Sequence, residues 1–200
     1  MNGPTIQWLI EIAHKQKIAI TGSIIIKENG AYYNRLVFVQ PNGEVVSYDK
    51  RHLFTLAQEH QNFSPGTKAI CVTYKGWKIK PLICYDLRFP VWSRNTEDYE
   101  LLLYVANWPK PRIHAWDTLL QARAIENMCY VAGVNRIGAD NEGHQYIGHS
   151  AVYDMLGGGI TTKNEERDQI IYATLDKSKL ETTRNKLSFL SDRDSFALNF

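Results

Sequence analysis

The sequence predicts an α/β (α+β) layered domain, in which β-hairpins and helices share one core. Three observations carry this. Turn-forming Asn–Gly or Lys–Gly pairs separate β-rich runs at 29–30, 42–43 and 75–76. Two segments, 5–16 and 114–128, have apolar residues at helical spacing. No repeat or low-complexity linker divides the chain, so residues 1–200 read as one domain.

Residues 5–16 (TIQWLIEIAHKQ) put Ile6, Leu9, Ile10 and Ile12 on one side, which predicts an amphipathic helix. IAITGSIII (18–26) turns through ENG (28–30) into YNRLVFVQ (33–40), and PNGE (41–44) leads to VVSYD (45–49). Gly accepts positive φ and Asn tolerates it, so both turns predict hairpins. Residues 51–67 lack periodicity, contain SPG, and read as mainly loop. AICVTY (69–74) and WKIKPLIC (77–84) form the next strand pair, with an irregularity expected at Pro81. ELLLYVAN (100–107) reads as a buried strand. The helix over 114–128 puts Trp116, Leu119, Leu120 and Ala124 on one face. Strands at 128–138, 145–153 and 170–176 and a short helix at 177–185 complete the expectation. The three glycines at 157–159 lack phosphate-loop spacing and read as a turn.

Composition narrows the function classes. Lys and Arg number 23 against 21 Asp and Glu, a net +2, so no one-sided field points to nucleic acid or an anionic membrane. The longest apolar runs are too short to cross a bilayer, and no leader pattern opens the chain. Three widely spaced cysteines, Cys71, Cys84 and Cys129, argue against a disulfide framework and for a reducing, cytoplasmic setting. Neither they nor the six histidines have metal-ligand spacing, so no metal and no cofactor is expected.

Cys71 and Cys129 sit inside apolar runs and read as small buried hydrophobes. Cys84 differs. In PLICYDLRFP (81–90) it stands where an apolar run meets charges and a proline, the seam at which a strand reaches the surface. A nucleophilic thiol needs exposure and a group that takes its proton. His52, His60, His114, His144 and His149 cannot be matched to it by spacing. Lys50 in YDKRHLF (48–54) and Glu59 in AQEH (57–60) are alternatives whose proximity to Cys84 depends on the fold.

The combination is more specific than its parts. YDKRHLF…AQEH, then CYDLRFPVWSRN, YVANWP, and LLQARAIEN followed by YVAGVNRIG together resemble the nitrilase, or carbon–nitrogen hydrolase, superfamily, closest to its omega-amidase branch. The resemblance spans nearly the whole chain and is sharpest between Tyr48 and Gly138. It implies an α-β-β-α sandwich and a homodimer built through residues 90–97 and 114–127. It also implies a catalytic set with Cys84 as nucleophile, Lys50 at the oxyanion and Glu59 ordering the site. The backbone N–H of Tyr85 would be the second oxyanion donor. Asn107 and Trp108 would shape the pocket wall, and Arg112 would greet a substrate carboxylate through its planar fork. Arg88 reads as a brace at the strand exit, paired with an acid. The implied reaction uses water to hydrolyse a small carboxylate-bearing amide, such as 2-oxoglutaramate or 2-oxosuccinamate, through an acyl-thioester. Aliphatic nitriles and N-carbamoyl compounds stay open within the same chemistry.

One part of the family pattern is missing. Its general base is a glutamate in a Pro–Glu motif, on a strand upstream of the helix matching 5–16. Glu11 lies in that helix and Glu28 in a hairpin turn, so neither occupies the position. The sequence therefore reads as a member truncated at its N-terminus, lacking the first strands and helix. The competing reading is a non-catalytic, dimerising protein that retains the scaffold. A redox role for Cys84 lacks a neighbouring CxxC.

Overall fold

Residues 1–161 and 167–198 are described by the computed structural model of the chain. Helix α1 (Pro4–Gln16) enters through a proline in its first turn, and its C-cap, Lys17, is left-handed. Strands β1 (Ile20–Glu28), β2 (Ala31–Val39) and β3 (Val45–Asp49) then form an antiparallel sheet in chain order. The β1–β2 turn has positive φ at both Asn29 and Gly30, the hairpin geometry that an Asn–Gly pair favours.

A second sheet has the order β10-β7-β6-β5-β4. Its strands are β4 (Val72–Tyr74), β5 (Trp77–Ile83), β6 (Leu101–Ala106), β7 (Tyr130–Asn135) and β10 (Ala151–Tyr153). The β5–β6 and β6–β7 pairs are parallel, whereas β4 and β10 close the edges antiparallel. Crossovers run through the short helix α2 (Pro90–Ser93) and through α3 (Ile113–Asn127). A separate hairpin joins β8 (Ile137–Ala139) to β9 (Gln145–Ile147), and α4 (Lys177–Leu187) follows near the end.

Side-chain alternation sets the layers. On β2, Val37 and Val39 bury against Ile6 and Ala13 of α1. The opposite face sends Phe38 onto Val72 and Ile79, and Leu36 into the large core that also holds Ile83. Trp116, Leu120 and Ala124 of α3 cover the far side of the second sheet. Helix, sheet, sheet and helix thus stack in the implied sandwich. Gly133 on β7 is required by that stacking, because a Cβ there would lie 2.4 Å from Leu120 Cδ1.

Four expectations need correction. β5 runs without interruption through Pro81, because β4 pairs only as far as Ile79 and leaves the proline where one neighbour is hydrogen-bonded. The runs 128–138 and 145–153 are each split between two sheets. Left-handed Gly148 and His149 break the second, and Arg136 separates the two strands of the first. Residues 170–176 form no strand: Ile170 and Tyr172 are 79% and 84% exposed, and a strand needs a hydrogen-bonded partner. The glycines 157–159 do make a turn, closed by the Asp154 N–H bond to Gly158 O.

Candidate active site

The parallel strands assemble the site. Their register aligns Ile83, Val105 and Val134, then Ala106 with Asn135. The residues leaving the strands, Cys84, Asn107 and Arg136, therefore lie along the carboxyl edge of the sheet, where open α/β sheets bind ligands. All three line a cavity of about 790 Å³ that also receives Lys50, Glu59 and Arg112.

Cys84 begins the 3₁₀ turn Cys84–Arg88 with φ +45, a conformation that costs a residue with a side chain about 1–2 kcal/mol. The strained corner turns the half-buried thiol out of the strand and into the cavity. Burial pushes the thiol up from its ordinary range. The Lys50 ammonium, and to a lesser extent the Asn107 backbone, pull it back; Sγ lies 4.0 Å from Asn107 O. The amides of the turn's first residues have no acceptor within the turn, which leaves the Tyr85 N–H available to an incoming oxygen. The Tyr85 ring points elsewhere, packing on Phe54 and Phe89.

Lys50 follows β3 directly. Its N–H donates to Asn34 O at 2.9 Å, and its own carbonyl accepts from the Gly66 N–H at 2.9 Å. Only glycine fits at 66, since a Cβ would fall 2.1 Å from Asp49 O. The Lys50 side chain is 4% exposed, and Nζ lies 2.6 Å from Glu59 Oε2. The same Glu59 oxygen accepts the Phe54 N–H at 2.6 Å. One carboxylate thus holds both the ammonium and the backbone of the 51–67 loop. That loop is irregular as expected, apart from the 3₁₀ turns Thr55–Ala57 and Glu59–Gln61.

Beneath the thiol lies a group that residue patterning missed. Asp86 is fully buried, and its carboxylate accepts from Tyr48 Oη (2.6 Å), the His52 N–H (3.0 Å) and the Ile83 N–H (3.1 Å). His52 Nδ1 lies 2.8 Å from the same carboxylate. Tyr48 Oη accepts in turn from Trp92 Nε1 and the Arg51 N–H. This network clamps the segment carrying Lys50 to the turn carrying Cys84. The available signal was a carboxylate two residues past the thiol, at the end of an apolar strand.

Other expected residues are distributed unequally. Asn107 and Arg112 line the cavity, with the Arg112 guanidinium over the Phe54 ring at 5.1 Å. Trp108 does not form the wall: it is 3% exposed, donates its indole N–H to Arg112 O and packs on Trp116 behind the site. Its size and apolar faces favour the core over the cavity edge. Arg88 has no acidic partner among the described residues and lies over the Trp108 ring at 5.0 Å. Cys129 is buried as expected, whereas Cys71 is only half-buried. The hairpin β8–β9 at the cavity mouth, with Arg136, Asp140 and Tyr146, was read only as strand.

Comparison with known proteins shows the family. The carbon–nitrogen hydrolase family pattern matches residues 1–185. An omega-amidase, YafV, of Escherichia coli (strain K12) is 45% identical over 193 residues, covering 96% of this chain and 75% of the relative. A 2-oxoglutaramate amidase of Bacillus subtilis (strain 168) is 35% identical over 189 residues, covering 92% of this chain and 72% of the relative. Among solved structures, XC1258 of Xanthomonas campestris superposes with a TM-score of 0.97 at 43% identity, covering 100% of this chain and 78% of that one. It is described as a CN-hydrolase superfamily protein with an arsenic adduct in its active site. With sequence, layered fold and relatives in agreement, the chain belongs to the carbon–nitrogen hydrolase family, in its omega-amidase branch, and is an amide-hydrolysing enzyme.

Proposed function

We propose that this enzyme hydrolyses a small amide bearing a carboxylate, of the 2-oxoglutaramate or 2-oxosuccinamate kind, through an acyl-thioester on Cys84. The observation that carries the reading is a thiol at a strained strand exit, opening into the cavity that also holds the Lys50–Glu59 pair. Cys84 sulfur adds to the amide carbon, and the carbonyl electrons move onto oxygen. The Lys50 ammonium and the Tyr85 N–H stabilise that oxyanion. The proton given up by sulfur ends on the departing nitrogen, and collapse breaks the carbon–nitrogen bond and releases ammonia. Water then cleaves the thioester to the carboxylate and the free thiol.

The thiol proton must go to a base, and such assistance is worth about 10²–10⁴ in rate. The two carboxylates whose charge the thiol feels, Glu59 and Asp86, are both occupied by donors. Glu59 is therefore assigned to hold Lys50 and the loop, not to take that proton.

Trapping tests the reading. Brief incubation with 2-oxoglutaramate should leave an acyl adduct on Cys84, seen by intact mass and peptide mapping. A neutral alkylating agent should modify Cys84 before Cys71, whose thiol burial and Glu97 push up to about 12, and before buried Cys129. Because the Cys84 thiol is also raised, its labelling rate should climb as pH rises through the alkaline range. An adduct at another cysteine, or none, rejects the mechanism.

Arg112 is assigned to the substrate carboxylate. Arg112→Ala should raise KM for a dicarboxylic monoamide about tenfold or more and leave an uncharged amide nearly unaffected. Equal effects on the two reject the assignment. Homodimerisation through residues 90–97 and 114–127 belongs to the same proposal, supported by exposed Val91 and Ile125 on those elements. So does a reducing, cytoplasmic setting, supported by three unpaired cysteines. Among the described residues no helix is long and apolar enough to cross a membrane. The non-catalytic alternative finds no support in the relatives.

A further inference from the structure

We infer that Arg136 is a second specificity residue: with Arg112 it makes a two-guanidinium mouth that selects a 2-oxo acid amide and rejects the corresponding 2-amino acid amide. The inference rests on the function proposed above and deepens it.

Arg136 leaves β7 beside Asn107, two strands across from Cys84. Neighbouring strands lie about 4.8 Å apart, so its backbone stands about 10 Å from that of the thiol residue. A short dicarboxylic monoamide with its amide at the sulfur extends its carboxylate end toward this position.

The hairpin holds the guanidinium there. It lies 4.7 Å over the Tyr146 ring, and its Nη2 donates to Ala139 O at 3.0 Å. Tyr146 is itself fixed by donating to Asp140 Oδ2 at 2.8 Å. The other Asp140 oxygen accepts the N–H groups of Glu142 and His144. The Lys110–Arg112 turn packs against β9, which brings Arg112 to the same side of the mouth.

Two guanidiniums and two hairpin carboxylates, Asp140 and Glu142, line this mouth. Neither Arg112 nor Arg136 has a carboxylate partner among the described residues. Of the acids nearby, Glu59 pairs with Lys50, and Asp140 accepts from the Tyr146 hydroxyl and the backbone N–H groups of Glu142 and His144, whereas the Glu142 carboxylate is exposed at the hairpin tip. A carboxylate with an adjacent carbonyl offers acceptors to both guanidiniums. An ammonium on the same carbon would face two like charges where the carbonyl meets donors, so discrimination comes from repulsion as well as attraction.

The test compares ligands that differ only at that carbon. Binding of 2-oxoglutarate and L-glutamate to the wild-type chain and to R136Q is measured by calorimetry, and KM for 2-oxoglutaramate and for uncharged valeramide by ammonia release. R136Q should weaken 2-oxoglutarate and raise KM for 2-oxoglutaramate by about 10- to 100-fold with kcat kept. KM for valeramide should hold, the preference over L-glutamate should narrow, and R136K should recover part of the loss. Unchanged discrimination in R136Q, or equal losses on charged and neutral amides, overturns the assignment while leaving the amidase reading intact. A wild-type chain that does not prefer the charged amide overturns both.

Discussion

Lys50→Ala is expected to lower kcat and kcat/KM together by about 10²–10³, the effect of losing one oxyanion donor. The equal fall follows if the ammonium meets its partner oxygen only once negative charge develops. A second cost has to be separated from the first. Lys50 is 4% exposed and Glu59 is 13% exposed, so removing the amine strands a carboxylate that keeps the Phe54 N–H as its close donor. Breaking a buried pair on one side typically destabilises by about 3–5 kcal/mol. A double-mutant cycle distinguishes the effects. Lys50→Ala combined with Glu59→Gln should regain much of the lost stability, measured by urea unfolding, yet remain as inactive as Lys50→Ala alone. Ammonia release near the wild-type rate in either protein would remove Lys50 from the chemistry.

Replacing Asp86 should produce the largest structural effect. Its carboxylate gathers the Tyr48 hydroxyl, the His52 backbone N–H and ring Nδ1, and the Ile83 N–H in a fully buried position. Asp86→Leu leaves these groups without their acceptor, for an expected loss of about 3–5 kcal/mol. Asp86→Asn keeps one oxygen but turns an NH₂ toward donors, so it should fall between wild type and Asp86→Leu. Tyr48→Phe removes one donor to Asp86 and the acceptor of Trp92 Nε1 and the Arg51 N–H, and should cost about 2–3 kcal/mol. The kinetic signature separates this residue from Lys50. If Asp86 positions the strained turn at Cys84, alkylation of that thiol should slow even where Asp86→Asn is folded, judged by near-UV circular dichroism. A folded Asp86→Asn protein with wild-type thiol reactivity would leave Asp86 a purely structural role.

The hairpins were legible because their causes are local. Asn29–Gly30 and Lys75–Gly76 adopt the positive φ values that their residue types tolerate. Helix α3 was legible because Trp116, Leu120 and Ala124 recur at helical spacing, and the packed face follows that spacing. Patterning failed where pairing decides. The apolar run 170–176 has strand composition but no strand, and Pro81 sits in a regular strand because β4 stops short of it.

For the site, the sequence by itself, through its family resemblance, determined the candidate groups: a thiol at a strand exit, a lysine directly after β3, a loop glutamate and Arg112. Tertiary structure alone decided their partners. It put Glu59 2.6 Å from Lys50, buried Trp108 behind the cavity, made Asp86 the anchor of two loops, and brought Arg136 to the mouth. The reason is one of range. Turn chemistry and periodicity act over a few residues, whereas the parallel register joins strand ends tens of residues apart, and burial sets which polar groups must find each other.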